Sequence, residues 1–148
     1  QNVVRGWLSP NHAFMEELEM AFKELIAMKK LLKHPEEGEM LSKEEMLQLR
    51  RSYIEIGKLV QKYGGYERYS VELKYLMSQV KCVDSDEDDN SKHQYLIQGY
   101  KCMVGHKENI SEFAICDSGE SKEVERQLNR KLDEEWGKVW AIMRKYIP

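Results

Sequence analysis

Three stretches of the chain carry apolar residues at alternating spacings of three and four. Because an α-helix turns once per 3.6 residues, such positions share one helical face, and that face must be buried against a partner. The stripes are Phe14, Leu18, Ala21, Leu25, Met28 and Leu32, then Met46, Leu49, Tyr53, Ile56, Val60 and Tyr63, then Tyr69, Leu73, Leu76, Val80 and Val83. The pattern predicts helices that pack against one another.

Residues that favour helix ends set the expected boundaries in the first half of the chain. Ser42 and Glu45 have the spacing of a capping box, in which each side chain satisfies the other's backbone N–H. Ser9-Pro10 starts a helix, His34-Pro35 ends one, and Gly64-Gly65 is typical of a C-cap. The predicted helices cover about residues 10 to 33, 42 to 63 and 66 to 83.

The second half of the chain is less regular. Acidic residues crowd positions 84–91, which predicts a surface loop. Residues 92–104 have a helical pattern, although Gly99 and Gly105 leave a short strand as an alternative. After a short helical turn at Ile110, a break near 117–120 precedes a last helix over about 121–146, with Ser121 as its N-cap. The sequence thus predicts an all-α, single-domain antiparallel helical bundle of five to six helices over 1–148.

Composition excludes several classes of protein. A net charge of −3 in 148 residues argues against a broad nucleic-acid surface and against a polybasic membrane anchor. The sequence contains neither a membrane-spanning apolar run nor a signal-peptide pattern, so a soluble protein without a membrane partner is expected. Cys82, Cys102 and Cys116 form no Cys-x-x-Cys pair and have apolar neighbours. We expect buried reduced thiols and an intracellular location, cytoplasmic or nuclear.

Catalytic motifs are missing from the sequence. The four histidines are scattered, and no phosphate-binding loop accompanies the glycines. We therefore expect a protein that is not an enzyme, with no catalytic residue, cofactor or metal ligand. A small metal-dependent helical hydrolase ranks third among the functions considered, since Glu16, Glu17 and Glu19 cluster in the first helix.

The acidic segment partly matches a calcium-binding loop. Asp84, Asp86 and Asp88 alternate as in an EF-hand, but Asp89 stands where that loop needs glycine and Tyr95 where it needs glutamate. A calcium sensor is therefore not expected. Ser85 is followed at once by Asp86, Glu87 and Asp88 and is a candidate phosphorylation site.

Surplus apolar surface on the first and last helices gives the leading functional hypothesis. On the first helix, Met15, Met20, Ile26 and Leu31 lie off the main stripe, and a second apolar strip needs a second partner. On the last helix, Trp136, Val139, Trp140 and Met143 share one wide aromatic face. The candidate partner-binding residues are Met15, Met20, Ile26, Leu31, Trp136, Trp140 and Met143. We expect a noncatalytic, adaptor or regulatory interaction domain that binds a protein through a helix-lined groove or forms a homodimer. Trp140→Ala or Met20→Asp is then expected to weaken association more than folding.

The alternative function is a nucleic-acid-binding accessory subunit. Basic residues on three helices are the reason for it, and such binding would weaken steeply with salt. The candidate phosphate-contacting residues are Lys29, Lys30, Lys33, Arg50 and Arg51, joined by Arg126, Arg130 and Lys131 in the last helix.

Overall fold

The computed structural model describes residues 16–24, 39–105 and 109–147. Within these ranges the regular elements are all helical, which confirms the predicted all-α class. The chain divides into two units, Gln1–His34 and Pro35–Pro148. The described part of the first unit is a helical segment at 16–24, inside the first predicted helix. The single domain over 1–148 stays a prediction.

The described part of the second unit contains four α-helices and one 3₁₀ turn. The helices are α1 (Lys43–Gly64), α2 (Ser70–Asp84), α3 (Asp89–Val104) and α4 (Lys122–Met143), and the 3₁₀ turn is Ile110–Glu112. Helix α1 packs against both α2 and α4, and α3 packs against α2. The short connections at 65–69 and 85–88 make α2 an antiparallel neighbour of α1 and α3 an antiparallel neighbour of α2.

The helix caps predicted within the described residues are confirmed, whereas Ser9-Pro10 and His34-Pro35 lie outside the described residues. The Ser42 hydroxyl accepts the Glu45 N–H at 3.1 Å, while the Ser42 N–H donates to Glu45 Oε1 at 2.9 Å. Gly65 ends α1 with a φ of 88°, a conformation that favours glycine. Ser121 caps α4 by accepting the Val124 N–H at 3.2 Å. These local interactions fix where the two longest described helices begin.

Two boundaries differ from the sequence prediction. Residues 66–69 form turns, so α2 begins at Ser70. The acidic segment is a loop only at 85–88, because α2 continues to Asp84 and α3 begins at Asp89, where the Asp88 carboxylate caps the helix by accepting the Ser91 N–H at 2.7 Å. The stretch 92–104 lies within α3, so the short-strand alternative is wrong.

Helix α1 is the centre of the core. Its fully buried residues Leu49, Ile56 and Val60 face neighbouring helices, and α4 contributes the equally buried Ile142 and Met143. Each such side chain stabilises the fold by about 1.5 to 3 kcal/mol through removal of apolar surface from water.

The exposed thiols correct one expectation. Cys102 and Cys116 are exposed and Cys82 is half-buried, so the prediction of buried thiols is wrong for two of the three. Cys102 lies on the exposed side of α3, and Cys116 lies in the irregular segment before α4. Within the described ranges, no helix is long and apolar enough to cross a bilayer.

Candidate partner-binding groove

A groove of about 500 Å³ runs between α1 and α2. Ile54, Gly57, Lys58 and Gln61 line it from α1, and Lys74, Met77, Ser78 and Lys81 line it from α2. Both sets have the spacing i, i+3, i+4, i+7, so each lies along one face of its helix. The buried side chains of Tyr53, Leu73 and Leu76 form the inner wall. Its volume lies within the range of small-molecule and side-chain binding sites.

Gly57 helps to open the groove. It lies in the middle of α1, where glycine weakens a helix by about 0.5 to 1 kcal/mol relative to alanine. A Cβ atom at this position would lie 3.9 Å from Leu76 Cδ1, which is an ordinary van der Waals contact. A side chain at position 57 is therefore sterically permitted, and it would occupy space that the groove leaves open.

Large apolar side chains at the groove are open to solvent. Met77 is 57% exposed and Tyr66, from the turn before α2, is 51% exposed. Methionine and tyrosine are enriched in protein interfaces, because methionine adapts its shape and tyrosine combines a large apolar ring with a polar end. This groove therefore has the composition of a binding surface.

The groove is also locally basic. Its lining includes Lys58, Lys74 and Lys81 but no Asp or Glu, in a chain whose net charge is −3. Lys58 contacts the Glu55 carboxylate at 3.3 Å, and both side chains are solvent-exposed. Lys74 and Lys81 form no ion pair with another described residue. Their charges remain available to a ligand.

The inner wall contains an unusual polar group, the Tyr53 hydroxyl. Tyr53 is almost completely buried, with its ring edge-on to that of Trp136 at a centroid distance of 6.4 Å. Its hydroxyl has no hydrogen-bond partner among the described residues. Burial strongly raises the pKa of Tyr53, with a smaller contribution from Tyr100, so the phenol stays protonated.

A second, smaller groove of about 360 Å³ lies between α2 and α3. Val71 and Tyr75 of α2 and Tyr95 of α3 line it and are exposed. Helix α2 thus carries uncovered apolar side chains beside both of its neighbours. This surplus is the structural reason to regard α2 as the centre of a binding surface.

The partner-binding residues predicted on α4 lie outside the groove. Trp140 is 53% exposed and Trp136 is half-buried, whereas Met143 is fully buried in the core and is not available to a partner in this conformation. Met20 is 44% exposed on the helical segment at 16–24. None of the three α4 residues lines the groove. Met15, Ile26 and Leu31 lie outside the described residues.

Three of the predicted phosphate-contacting cations in the second unit, Arg50, Arg51 and Lys131, already have polar partners. Arg50 forms a two-point ion pair with Asp84, at 2.7 and 3.1 Å, which raises the pKa of the guanidinium and lowers that of the carboxyl. Arg51 donates to Gln48 Oε1 at 3.0 Å. Lys131 lies 3.5 Å from the buried Glu135 carboxylate. These contacts reduce the basic surface that the nucleic-acid hypothesis needs.

The other basic candidates differ in position. Arg126 pairs with Glu123 on the exposed face of α4, and Arg130 is exposed on the same helix. Lys29, Lys30 and Lys33 lie outside the described residues. Among the described residues, Arg51 and Lys131 line one pocket between α1 and α4, but Glu55 and Glu135 line it too and offset their charge. Arg50, Arg126 and Arg130 do not line that pocket.

The acidic segment serves as helix ends in this structure. Asp84 pairs with Arg50, and Asp88 caps α3. The Ser85 hydroxyl donates to the Cys82 carbonyl at 2.7 Å and so closes the end of α2, which means that phosphorylation would displace this contact. Among the described residues, no group of three His, Cys, Asp or Glu side chains is placed to hold a metal ion.

Sequence reasoning missed the groove, although a signal for it exists. Val71, Tyr75 and Met77 lie off the main stripe of the third predicted helix. This is the same type of surplus that indicated partner-binding residues on the first and last helices. Which helices pack against this helix, and therefore which of its side chains stay uncovered, is decided by tertiary packing.

Known proteins give no independent guide to function. No protein-family model, curated protein or solved structure matches this chain.

Proposed function

We propose that this chain is a noncatalytic, intracellular protein-interaction domain, adaptor or regulatory in role, that binds a partner protein in the groove between α1 and α2. The observation that carries the proposal is an open apolar groove bounded by two helices, with Gly57 on one wall and exposed Met77 on the other. A groove of this type accepts the apolar face of a helix from another protein.

The exposed apolar surface supports the proposal on energetic grounds. Leaving Met77 and Tyr66 in water forfeits the stabilisation of about 25 cal/mol per Å² that their burial would give. Two such side chains in the lining of one groove provide the anchors around which interface hot spots form. The lysines around them form a polar rim, which is the usual arrangement at the edge of an interface.

An intracellular location is part of the proposal. Cys82, Cys102 and Cys116 carry free thiols, and two of the three are exposed. Exposed thiols persist in a reducing compartment and tend to oxidise outside it. The tagged chain is therefore expected in the cytoplasm or nucleus by fractionation, and recovery from the secreted fraction would contradict this part.

The experiment that tests the function fills the groove. Gly57→Leu places a side chain in the groove, and Gly137→Leu makes the same change on the exposed face of α4, where no atom lies within 4 Å of the new Cβ. We expect affinity capture with the full chain to recover partner proteins with wild type and Gly137→Leu, and to lose them with Gly57→Leu.

A second variant pair distinguishes loss of partner binding from loss of folding. Met77→Gln removes an exposed apolar anchor from the groove, and Leu47→Gln makes a similar change at an exposed residue of α1 outside it. Both should keep the wild-type thermal midpoint, and only Met77→Gln should lose the partner. Equal capture by all four variants would overturn the proposed function.

A further inference from the structure

We propose that the groove between α1 and α2 selects an acidic amphipathic helix of its partner, with apolar side chains that enter the groove and carboxylates that contact Lys58, Lys74 and Lys81. This inference rests on the proposed function and adds the chemistry of the ligand.

Charge complementarity is the first reason. The groove lining combines three lysines with no acidic residue, whereas acidic residues outnumber basic ones, 26 to 23, in the chain as a whole. An acidic segment approaching this protein is repelled by the net charge and attracted only where the local charge is positive. Complementary charges at an interface rim direct association and exclude wrong partners.

The positions of the lysines favour an extended, helical ligand. Lys74 and Lys81 are seven residues apart on α2, which corresponds to about 10 Å along the helix axis at 1.5 Å per residue. Lys58 lies on the opposite wall, on α1. Cations on both walls match carboxylates on both flanks of a helix that lies along the groove.

The apolar lining gives such a ligand its anchors. Ile54 and Leu76 line the groove together with exposed Met77, in the same lining as the three lysines. A helix with apolar residues at i, i+3 or i+4, and i+7 presents one continuous strip to this surface. Acidic residues beside that strip then meet the lysines. The same strip without acidic flanks would leave the positive charges of Lys74 and Lys81 uncompensated.

A displayed peptide library tests the ligand chemistry directly. The probe is a library of 18-residue helices with leucine at the strip positions and Glu, Gln or Lys randomised at the flanking positions, selected on the full chain. We expect the selected peptides to be enriched in Glu. Lys74→Glu combined with Lys81→Glu should weaken their binding about tenfold, and added salt should weaken wild-type binding. The control combines Lys43→Glu with Lys101→Glu, which changes the net charge by the same amount at positions outside the groove. It should have little effect on peptide binding.

The outcomes separate this inference from the proposed function. Suppose that the selected peptides do not bind the Gly57→Leu and Met77→Gln variants, but are neutral or basic, or bind the Lys74→Glu, Lys81→Glu variant as tightly as wild type. The groove then binds helices, and the acidic preference is wrong. If selected peptides bind Gly57→Leu and Met77→Gln as tightly as wild type, the proposed function fails, and this inference fails with it. Thermal midpoints equal to that of wild type confirm that each variant is folded.

Discussion

The side-chain amide of Gln79 lies directly against the backbone of Gly99, where α2 crosses α3. Gln79 is almost fully buried, and a Cβ atom on Gly99 would overlap its amide group. Gly99→Ala is therefore expected to destabilise the fold by about 1 to 3 kcal/mol, because overpacking moves buried side chains or the backbone. Chemical denaturation measures the loss.

A double-mutant cycle checks that the Gln79 contact is the cause. Gln79→Ala creates space beside Gly99, so Gly99→Ala in that background should cost much less than it does in wild type. An equal cost in both backgrounds would show that the amide contact does not explain the effect.

The buried Tyr53 and the half-buried Tyr146 are expected to respond oppositely to removal of their hydroxyls. The Tyr53 hydroxyl has no partner among the described residues, so Tyr53→Phe should leave stability unchanged or raise it by up to about 1 kcal/mol. The Tyr146 hydroxyl donates to Glu45 Oε1 at 2.7 Å, and Tyr146→Phe should destabilise by about 1 to 3 kcal/mol. Urea unfolding of the two variants tests the contrast, and a larger loss from Tyr53→Phe would refute it.

His93 is expected to make stability depend on pH. Its Nδ1 accepts the Leu41 N–H at 3.0 Å, which requires a neutral ring. Burial lowers the pKa of His93 below its ordinary 6.5, and the nearby Glu45 carboxylate offsets part of that shift. Because the unfolded state binds the proton more readily, the stabilisation is present above about pH 6.5 and is lost as the pH falls towards the folded pKa.

A His93→Gln variant isolates this effect. Glutamine is uncharged over the whole range, and we expect its unfolding free energy to change less between about pH 7 and pH 5 than that of wild type. The difference between the two profiles removes contributions from the other histidines. Parallel profiles would contradict the assignment to His93.

Trp140 and Met143 are expected to separate association from folding. Trp140 is 53% exposed, so Trp140→Ala should change stability by less than about 1 kcal/mol. Met143 is fully buried, and Met143→Ala should cost about 2 to 5 kcal/mol through the cavity that it leaves. Light scattering at several concentrations, run beside thermal unfolding, checks whether Trp140 also supports self-association. A large loss of stability from Trp140→Ala would contradict its placement on the surface.

Local signals made the helices predictable. The capping residues Ser42 and Ser121 act within one turn of their own helices, so the sequence alone indicates where α1 and α4 begin. The start of α2 is different, because the ring of Tyr69 packs edge-on against Phe113, 44 positions later, at 5.2 Å. A contact so distant in sequence leaves no local pattern.

Which side of each helix is buried was harder to predict than where the helix begins and ends. In α4 the sequence placed Trp140 on the same face as Met143, but Ile142 and Met143 are buried and Trp140 is exposed. The groove between α1 and α2 was missed for the same reason, since the exposure of Met77 depends on which side of α2 faces α1. Apolar periodicity indicates that a face is buried and does not say which neighbour covers it.

A photo-crosslinking amino acid at position 77, compared with the same residue at position 47, tests the central claim most directly. Both positions are exposed, and only position 77 lines the groove. Irradiation in cells should give a discrete, protease-sensitive adduct with a second protein from position 77 and none from position 47. Equal adducts from both positions, or none from position 77, would contradict a protein-binding groove between α1 and α2, and an adduct of twice the chain mass would assign the groove to a second copy.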